Sequence, residues 1–199
     1  YNADDPLVCG IAGRFPGRSL SFGLSGSAGI RASGVTISGP AETRFVLHCG
    51  GAAHPASVPL AGAHYVMDAL PAVALGLEYK VPLERLIAGL NGLEQVSMRG
   101  RFLPFREGFA VIDDTYNSNP RALMQMIDVL AGVPAFERRI LVVGEMLELG
   151  RDSGALHYEC GAYAAGRRLD FVIGVRGAAR EIVRGALDAG IPESGARFF

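Results

Sequence analysis

Phe109-Ala110-Val111-Ile112-Asp113-Asp114-Thr115-Tyr116-Asn117-Ser118-Asn119-Pro120 decides how this chain is read. An apolar run ends in paired aspartates, as a buried strand ends in a polar turn. Asn119 followed by Pro120 is a cap and first-turn pair, so a helix starts there and runs over 120–130. Its Leu123, Met126, Ile127 and Leu130 recur at three and four positions and share one face. The connecting turn therefore carries two carboxylates, a phenol and two amides.

The rhythm repeats toward the C-terminus. Ile140-Leu141-Val142-Val143 reads as a buried strand followed by Gly144, and 155–165 as a helix. Phe171-Val172-Ile173 is a further strand, 178–189 a further helix, and Arg197-Phe198-Phe199 the start of another strand. Apolar strands alternating with helices predict an α/β fold with a mainly parallel sheet covered on both faces.

Residues 1–62 have another texture, rich in Gly, Ser and Ala. Segments 19–23, 30–38 and 44–48 read as strands, and 58–60 as an edge strand because Pro59 cannot donate to a ladder. They suggest hairpins on a larger sheet. Over 63–92 the pattern is helical, with Val66, Leu70, Val73, Ala74 and Leu77 on one face. Pro71 should kink or split that helix. A second helix begins at Pro82. The domain boundary falls in 95–100, giving domains at 1–97 and 98–199.

Composition excludes several classes. The chain has 199 residues, 49% of them hydrophobic, which is enough for a core and too much for disorder. A formal charge of −1 argues against a nucleic-acid or anionic-membrane binder. No 18-residue stretch has the character of a membrane span. The polar, acidic opening residues do not resemble a secretory signal. Cys9, Cys49 and Cys160 are far apart and form no CxxC pair, so a disulfide framework or zinc ribbon is not expected and a reducing cytosol is.

In an open parallel sheet, ligands bind beyond the carboxyl ends of the strands. At the first such end, an aspartate can accept hydrogen bonds from vicinal hydroxyls such as those of a ribose. The alternative is that the same residues only cap and turn the chain. At the second, Gly144-Glu145-Met146-Leu147-Glu148-Leu149-Gly150, the glutamates suit a cation or an amine, or simply solvent. The third, Gly174-Val175-Arg176-Gly177, is either a phosphate turn or a plain strand-to-helix connection. Ahead of the first strand, Met98-Arg99-Gly100-Arg101-Phe102 offers guanidiniums that suit phosphate oxygens, or a solvated face. No GxxxxGK[ST] loop, HExxH, GxSxG or Cys–His nucleophile pattern occurs. His48 and His54 lack metal-ligand spacing, and His157 reads as a packing or capping residue.

The string Asp113-Asp114-Thr115-Tyr116-Asn117-Ser118-Asn119-Pro120, then Gly144-Glu145-Met146-Leu147-Glu148-Leu149-Gly150, then His157, resembles the Mur ligase family. The family pattern is D-D-[ST]-Y-N-A-N-P, then G-D-M-x-E-L-G and a histidine. Asn2-Ala3-Asp4-Asp5-Pro6, Gly62-Ala63-His64-Tyr65-Val66-Met67-Asp68-Ala69-Leu70 and Gly100-Arg101 also match family segments, so the resemblance covers essentially the whole chain. Tyr65 and Asp68 stand where the family has asparagine, Glu145 where it has aspartate and Ser118 where it has alanine.

The resemblance implies the later part of a central ATP-binding domain (1–97) joined to a Rossmann-like C-terminal ligase domain (98–199) that stops short of the last strands. It implies an ATP-dependent ligase joining D-alanyl-D-alanine to UDP-N-acetylmuramoyl-tripeptide in peptidoglycan synthesis, through an acyl phosphate. The P-loop, the Mg2+ ligands and a carbamylated lysine lie upstream in the family, so the chain alone is expected to be inactive. By resemblance, Arg101 contacts the γ-phosphate, with Arg99 as the alternative register, and Asp114 contacts the ribose. His64 and Asp68 lie on the adenine side, Asn117 lines the nucleotide cleft, and Tyr116, Asn119 and Glu145 face substrate. A cytoplasmic monomer acting on small molecules is implied. The alternatives are a non-catalytic nucleotide- or amino-acid-binding module, or a related ligase of the diaminopimelate-adding or folylpolyglutamate-synthase type.

Overall fold

A computed structural model describes residues 1–134 and 136–199. The chain divides into two compact units, Tyr1–Gln95 and Val96–Phe199.

In the first unit, helix α1 (Pro6–Ala12) precedes strands β1 (Phe22–Gly23), β2 (Ile30–Gly39), β3 (Glu42–Cys49) and β4 (Ala52–Val58). Helices α2 (Ala63–Glu78) and α3 (Leu83–Asn91) follow. The sheet order is β1-β2-β3-β4, with β1 parallel to β2 and the rest an antiparallel meander. Along β3, Thr43, Phe45, Leu47 and Cys49 are buried and their neighbours are not, which is the period of a strand with one covered face. Val66, Leu70 and Val73 of α2 join the core that this face forms. Each such aliphatic side chain contributes roughly 1.5–3 kcal/mol by leaving water.

Three expectations are corrected here. Of 19–23, only Phe22 and Gly23 are in a strand. Segment 58–60 is not a strand of its own. β4 ends at Val58, and the proline that marks the sheet edge is Pro55, within it. Of the kink or split expected at Pro71, the split does not occur: α2 runs unbroken from Ala63 to Glu78. Proline costs a helix about 3 kcal/mol, and the buried Val66, Leu70, Val73 and Ala74 on both sides of it offset that loss.

Thr43 sets the entry to α2. Its buried hydroxyl donates to the Leu60 carbonyl and accepts from the Gly62 N–H, both at 2.8 Å. Gly62, the residue before the helix, has φ +139°, a conformation that favours glycine.

The second unit begins with a hairpin of β5 (Arg101–Pro104) and β6 (Ala110–Asp113). Helix α4 (Pro120–Gly132), strand β7 (Ile140–Gly144), helix α5 (Ser153–Gly166), strand β8 (Phe171–Val175), helix α6 (Ala179–Asp188) and strand β9 (Ala196–Phe198) follow. The sheet β7-β8-β9 is wholly parallel. Leu123 and Ile127 of α4, Leu141 and Val143 of β7, Val172 of β8 and Ile182 of α6 share one core. Helices α5 and α6 touch backbone to backbone. A Cβ on Gly161 would collide with the Ile182 carbonyl, and one on Gly185 with the Tyr158 carbonyl. Tyr163 and Arg167 of α5 both bind Asp128 of α4, and Tyr158 donates to Asp188.

Two further corrections concern this unit. Segment 109–112 is not a strand of the parallel sheet. It pairs antiparallel with β5 through a turn in which Gly108 has φ +86° and the Phe105 and Phe109 rings stack at 4.6 Å. Nor is the parallel sheet covered on both faces, because Ile140 and Val142 of β7 remain 47% and 64% exposed.

Candidate functional site

In the second unit, Arg101 and Asp113 are direct cross-strand partners, at the start of β5 and the end of β6. The segment before β5 bends sharply, with φ +59° at Met98 and +66° at Gly100. That bend brings Met98 and Arg99 onto the β6–α4 turn. The Tyr116 N–H donates to the Met98 carbonyl at 3.2 Å, and the Arg99 guanidinium lies 4.1 Å from the Tyr116 ring centroid. The structure therefore gathers Arg99, Arg101, Asp114, Tyr116 and Asn117 on the hairpin end and the turn that leaves it.

Their states differ. Arg99, Arg101, Tyr116 and Asn117 are exposed, while Asp114 is half-buried. Asp113 turns back on the chain, accepting from the Thr115 hydroxyl at 2.7 Å and the Thr115 N–H at 3.3 Å. Asn119 caps α4: its Oδ1 accepts from the Ala122 N–H at 3.0 Å, with Pro120 at the first helical position. Its amide nitrogen and the second lone pair of Oδ1 are left for a ligand. Such a turn, with guanidiniums and a carboxylate side by side, suits a group bearing both phosphate and hydroxyls.

The turn after β7 is built differently. Glu145 reaches the start of α6, where its Oε1 accepts from the Ala178 N–H at 3.2 Å. Its other oxygen lies where a Cβ on Gly177 would be, and Gly177 has φ +53°. Helix N-termini favour negative charge, so the carboxylate is well placed there. Behind it, His157 is completely buried and hydrogen-bonded through both ring nitrogens, to the Met146 N–H and to Ser153. The Ser153 partner lies one helical turn back, while the Met146 partner could not be read from the residue's place on a helix.

His64 and Asp68 belong to the first unit, one turn apart on α2. His64 is half-buried with its ring 4.0 Å from that of Tyr65, and Asp68 is exposed. The Asn2–Pro6 motif serves the fold of this unit. Asp4 accepts from the Leu24 and Ser25 N–H groups at 2.6 and 2.9 Å, and Asp5 caps α1. Desolvation pushes the Asp4 carboxyl up, but those hydrogen bonds together hold it below the usual carboxylate range.

Among the described residues, no group of three or more His, Cys, Asp or Glu is placed to hold a metal ion. No helix among them is long and apolar enough to cross a membrane.

The second unit is thus an α/β domain whose polar chemistry gathers at strand ends, where open parallel sheets bind ligands. Residues 98–197 match the family model described as Mur ligase, glutamate ligase domain. The UDP-N-acetylmuramoyl-tripeptide–D-alanyl-D-alanine ligase of Mycobacterium bovis is 36% identical over 174 residues, covering 85% of this chain and 34% of that protein. The ligase of the same name from Haemophilus influenzae is 42% identical over 118 residues, covering 58% of this chain and 25% of that protein. A crystal structure of MurF from Acinetobacter baumannii superposes with a TM-score of 0.78 at 27% identity, covering 90% of this chain and 37% of that one. The chain belongs to the Mur ligase family. It spans 34% and 25% of the length of these two curated relatives.

Proposed function

We propose that this chain is part of an ATP-dependent carboxylate–amine ligase that joins D-alanyl-D-alanine to UDP-N-acetylmuramoyl-tripeptide in peptidoglycan synthesis. The observation that carries the reading is the docking of Met98 and Arg99 on the β6–α4 turn, beside Arg101 and Asp114. Relatives bearing that enzyme's name match across both units. On this reading residues 1–97 are the later part of a central ATP-binding domain and 98–199 the ligase domain.

The reaction has two steps. A tripeptide carboxylate oxygen attacks the γ-phosphorus of ATP, giving an acyl phosphate and ADP. The amine of D-alanyl-D-alanine then attacks the acyl carbon, phosphate leaves, the nitrogen gives up a proton, and an amide forms. Positioning and charge neutralisation supply the rate. Arg101 neutralises charge at the γ-phosphate and Asp114 accepts from the ribose hydroxyls. Arg99, resting on Tyr116, is the second guanidinium of the site. Asn117 contacts the nucleotide, and His64 and Asp68 serve its adenine side. Tyr116, Asn119 and Glu145 face the incoming dipeptide. On this reading the Mg2+ ion that accompanies the nucleotide takes its protein ligands from the upstream part of the complete enzyme. The protein works as a cytoplasmic monomer on small molecules.

The test is ligation by the complete enzyme carrying this chain, with D-alanyl-D-alanine offered beside D-glutamate and diaminopimelate. Exclusive use of the dipeptide supports the reading, and preference for either single amino acid overturns it.

A further inference from the structure

We infer that His157 is a positioning residue for the ligation, holding the turn after β7 in the form that presents Glu145. The inference rests on the function proposed above. The His157 ring is fully buried beneath that turn. Its Nε2 accepts from the Met146 N–H at 2.8 Å, and its Nδ1 lies 2.7 Å from the Ser153 carbonyl oxygen. An amide N–H can only donate and a carbonyl can only accept. The ring is therefore neutral, with its proton on Nδ1 and a lone pair on Nε2.

One imidazole thus ties Met146, at the start of the turn, to Ser153, at the start of α5. Between them Glu148 and Gly150 both have φ +63°. A left-handed glutamate is disfavoured by its Cβ, so the turn needs an external fixture to keep this shape. Met146 is itself buried, and the residue before it is Glu145, whose carboxylate rests on the N-terminus of α6. Fixing the Met146 amide fixes the direction in which Glu145 leaves the backbone. Packing alone asks only for a ring-sized group at position 157. The bond to Met146 asks for an acceptor.

The experiment compares complete ligase as wild type, His157→Gln and His157→Asn. The longer Gln side chain carries an amide oxygen toward the Nε2 position and retains the acceptor for Met146. The shorter Asn side chain retains only the donor toward Ser153. His157→Asn should raise the KM for D-alanyl-D-alanine about tenfold or more, since small displacements of a positioned group cost this much. The KM for ATP should stay unchanged, and His157→Gln should recover most of the loss. Equal rises in both KM values, or no recovery by Gln, overturn the positioning role. A wild-type enzyme that ignores the dipeptide sinks the proposed function. A wild-type enzyme that uses it, with Asn equally good, sinks this inference alone. If the variants do not fold, the wild-type ring decides by nitrogen NMR: a protonated Nδ1 with an accepting Nε2 supports the role, and the opposite tautomer or a charged ring overturns it.

Discussion

Arg99 rests its guanidinium on the ring of Tyr116, 4.1 Å from the centroid, while Arg101, two residues on, stands exposed opposite Asp113. The two arginines that the sequence leaves interchangeable are thereby distinguished. One is engaged by an aromatic face, an interaction worth about 0.5–1 kcal/mol at an exposed site. The other is held at its base by a strand ladder. In complete ligase, Arg101→Ala should lower kcat by about a hundredfold or more, the cost of removing one charge-stabilising donor. Arg99→Ala should cost less. Steady-state kinetics of both variants check this, and the reverse order would exchange their roles.

The α5–α6 crossing should tolerate no side chain. Gly161→Ala and Gly185→Ala each drive a methyl into a backbone carbonyl, so the helices must part. Each should destabilise the unit by about 3 kcal/mol, at the upper end of overpacking costs. Gly154, also in α5, has nothing within 4 Å of an added Cβ. Gly154→Ala should instead stabilise by about 0.5 kcal/mol. Urea melts of the three variants make the comparison.

Cys160 should be unreactive in the folded chain. Its environment, burial first and the nearby Glu159 second, pushes the thiol up to about 11. A folded value above the unfolded one favours the protonated, folded state. That contribution is complete below the unfolded thiol value of about 8.5 and is lost as pH rises through the folded value. Alkylation at pH 8 followed by mass spectrometry should label Cys160 only after denaturant is added.

Asp4 should give the opposite pH signature. Its folded carboxyl lies below the ordinary aspartate value, held there by the Leu24 and Ser25 N–H groups against desolvation. The stabilisation is present above about pH 4 and is lost as pH falls through the folded value. Asp4→Asn should therefore be less stable than wild type at pH 7, and the gap should narrow as melts are taken toward pH 3.

The α/β rhythm of the second unit was legible because its strands are short apolar runs and its helices keep a clear apolar face. Asn119 and Pro120 marked the start of α4 by local chemistry alone, and the observed cap is the expected one. The β5–β6 hairpin was not legible. β5 is only Arg101-Phe102-Leu103-Pro104, too short for a period to show, and its pairing depends on a turn centred away from it. Strand β7 looked buried on both faces because composition cannot tell which of two apolar faces is covered. At the candidate site, residue types were readable and their connections were not. The bond from His157 to Ser153 is one helical turn long, but those from His157 to Met146 and from Glu145 to Ala178 depend on tertiary placement that spacing does not encode.

Thr43 never meets solvent, yet its hydroxyl fixes Gly62, two residues before His64. On the function proposed above, a lesion at Thr43 in a genetic screen would be scored as a defect in nucleotide use, although a surface map of the protein would not show the residue at all.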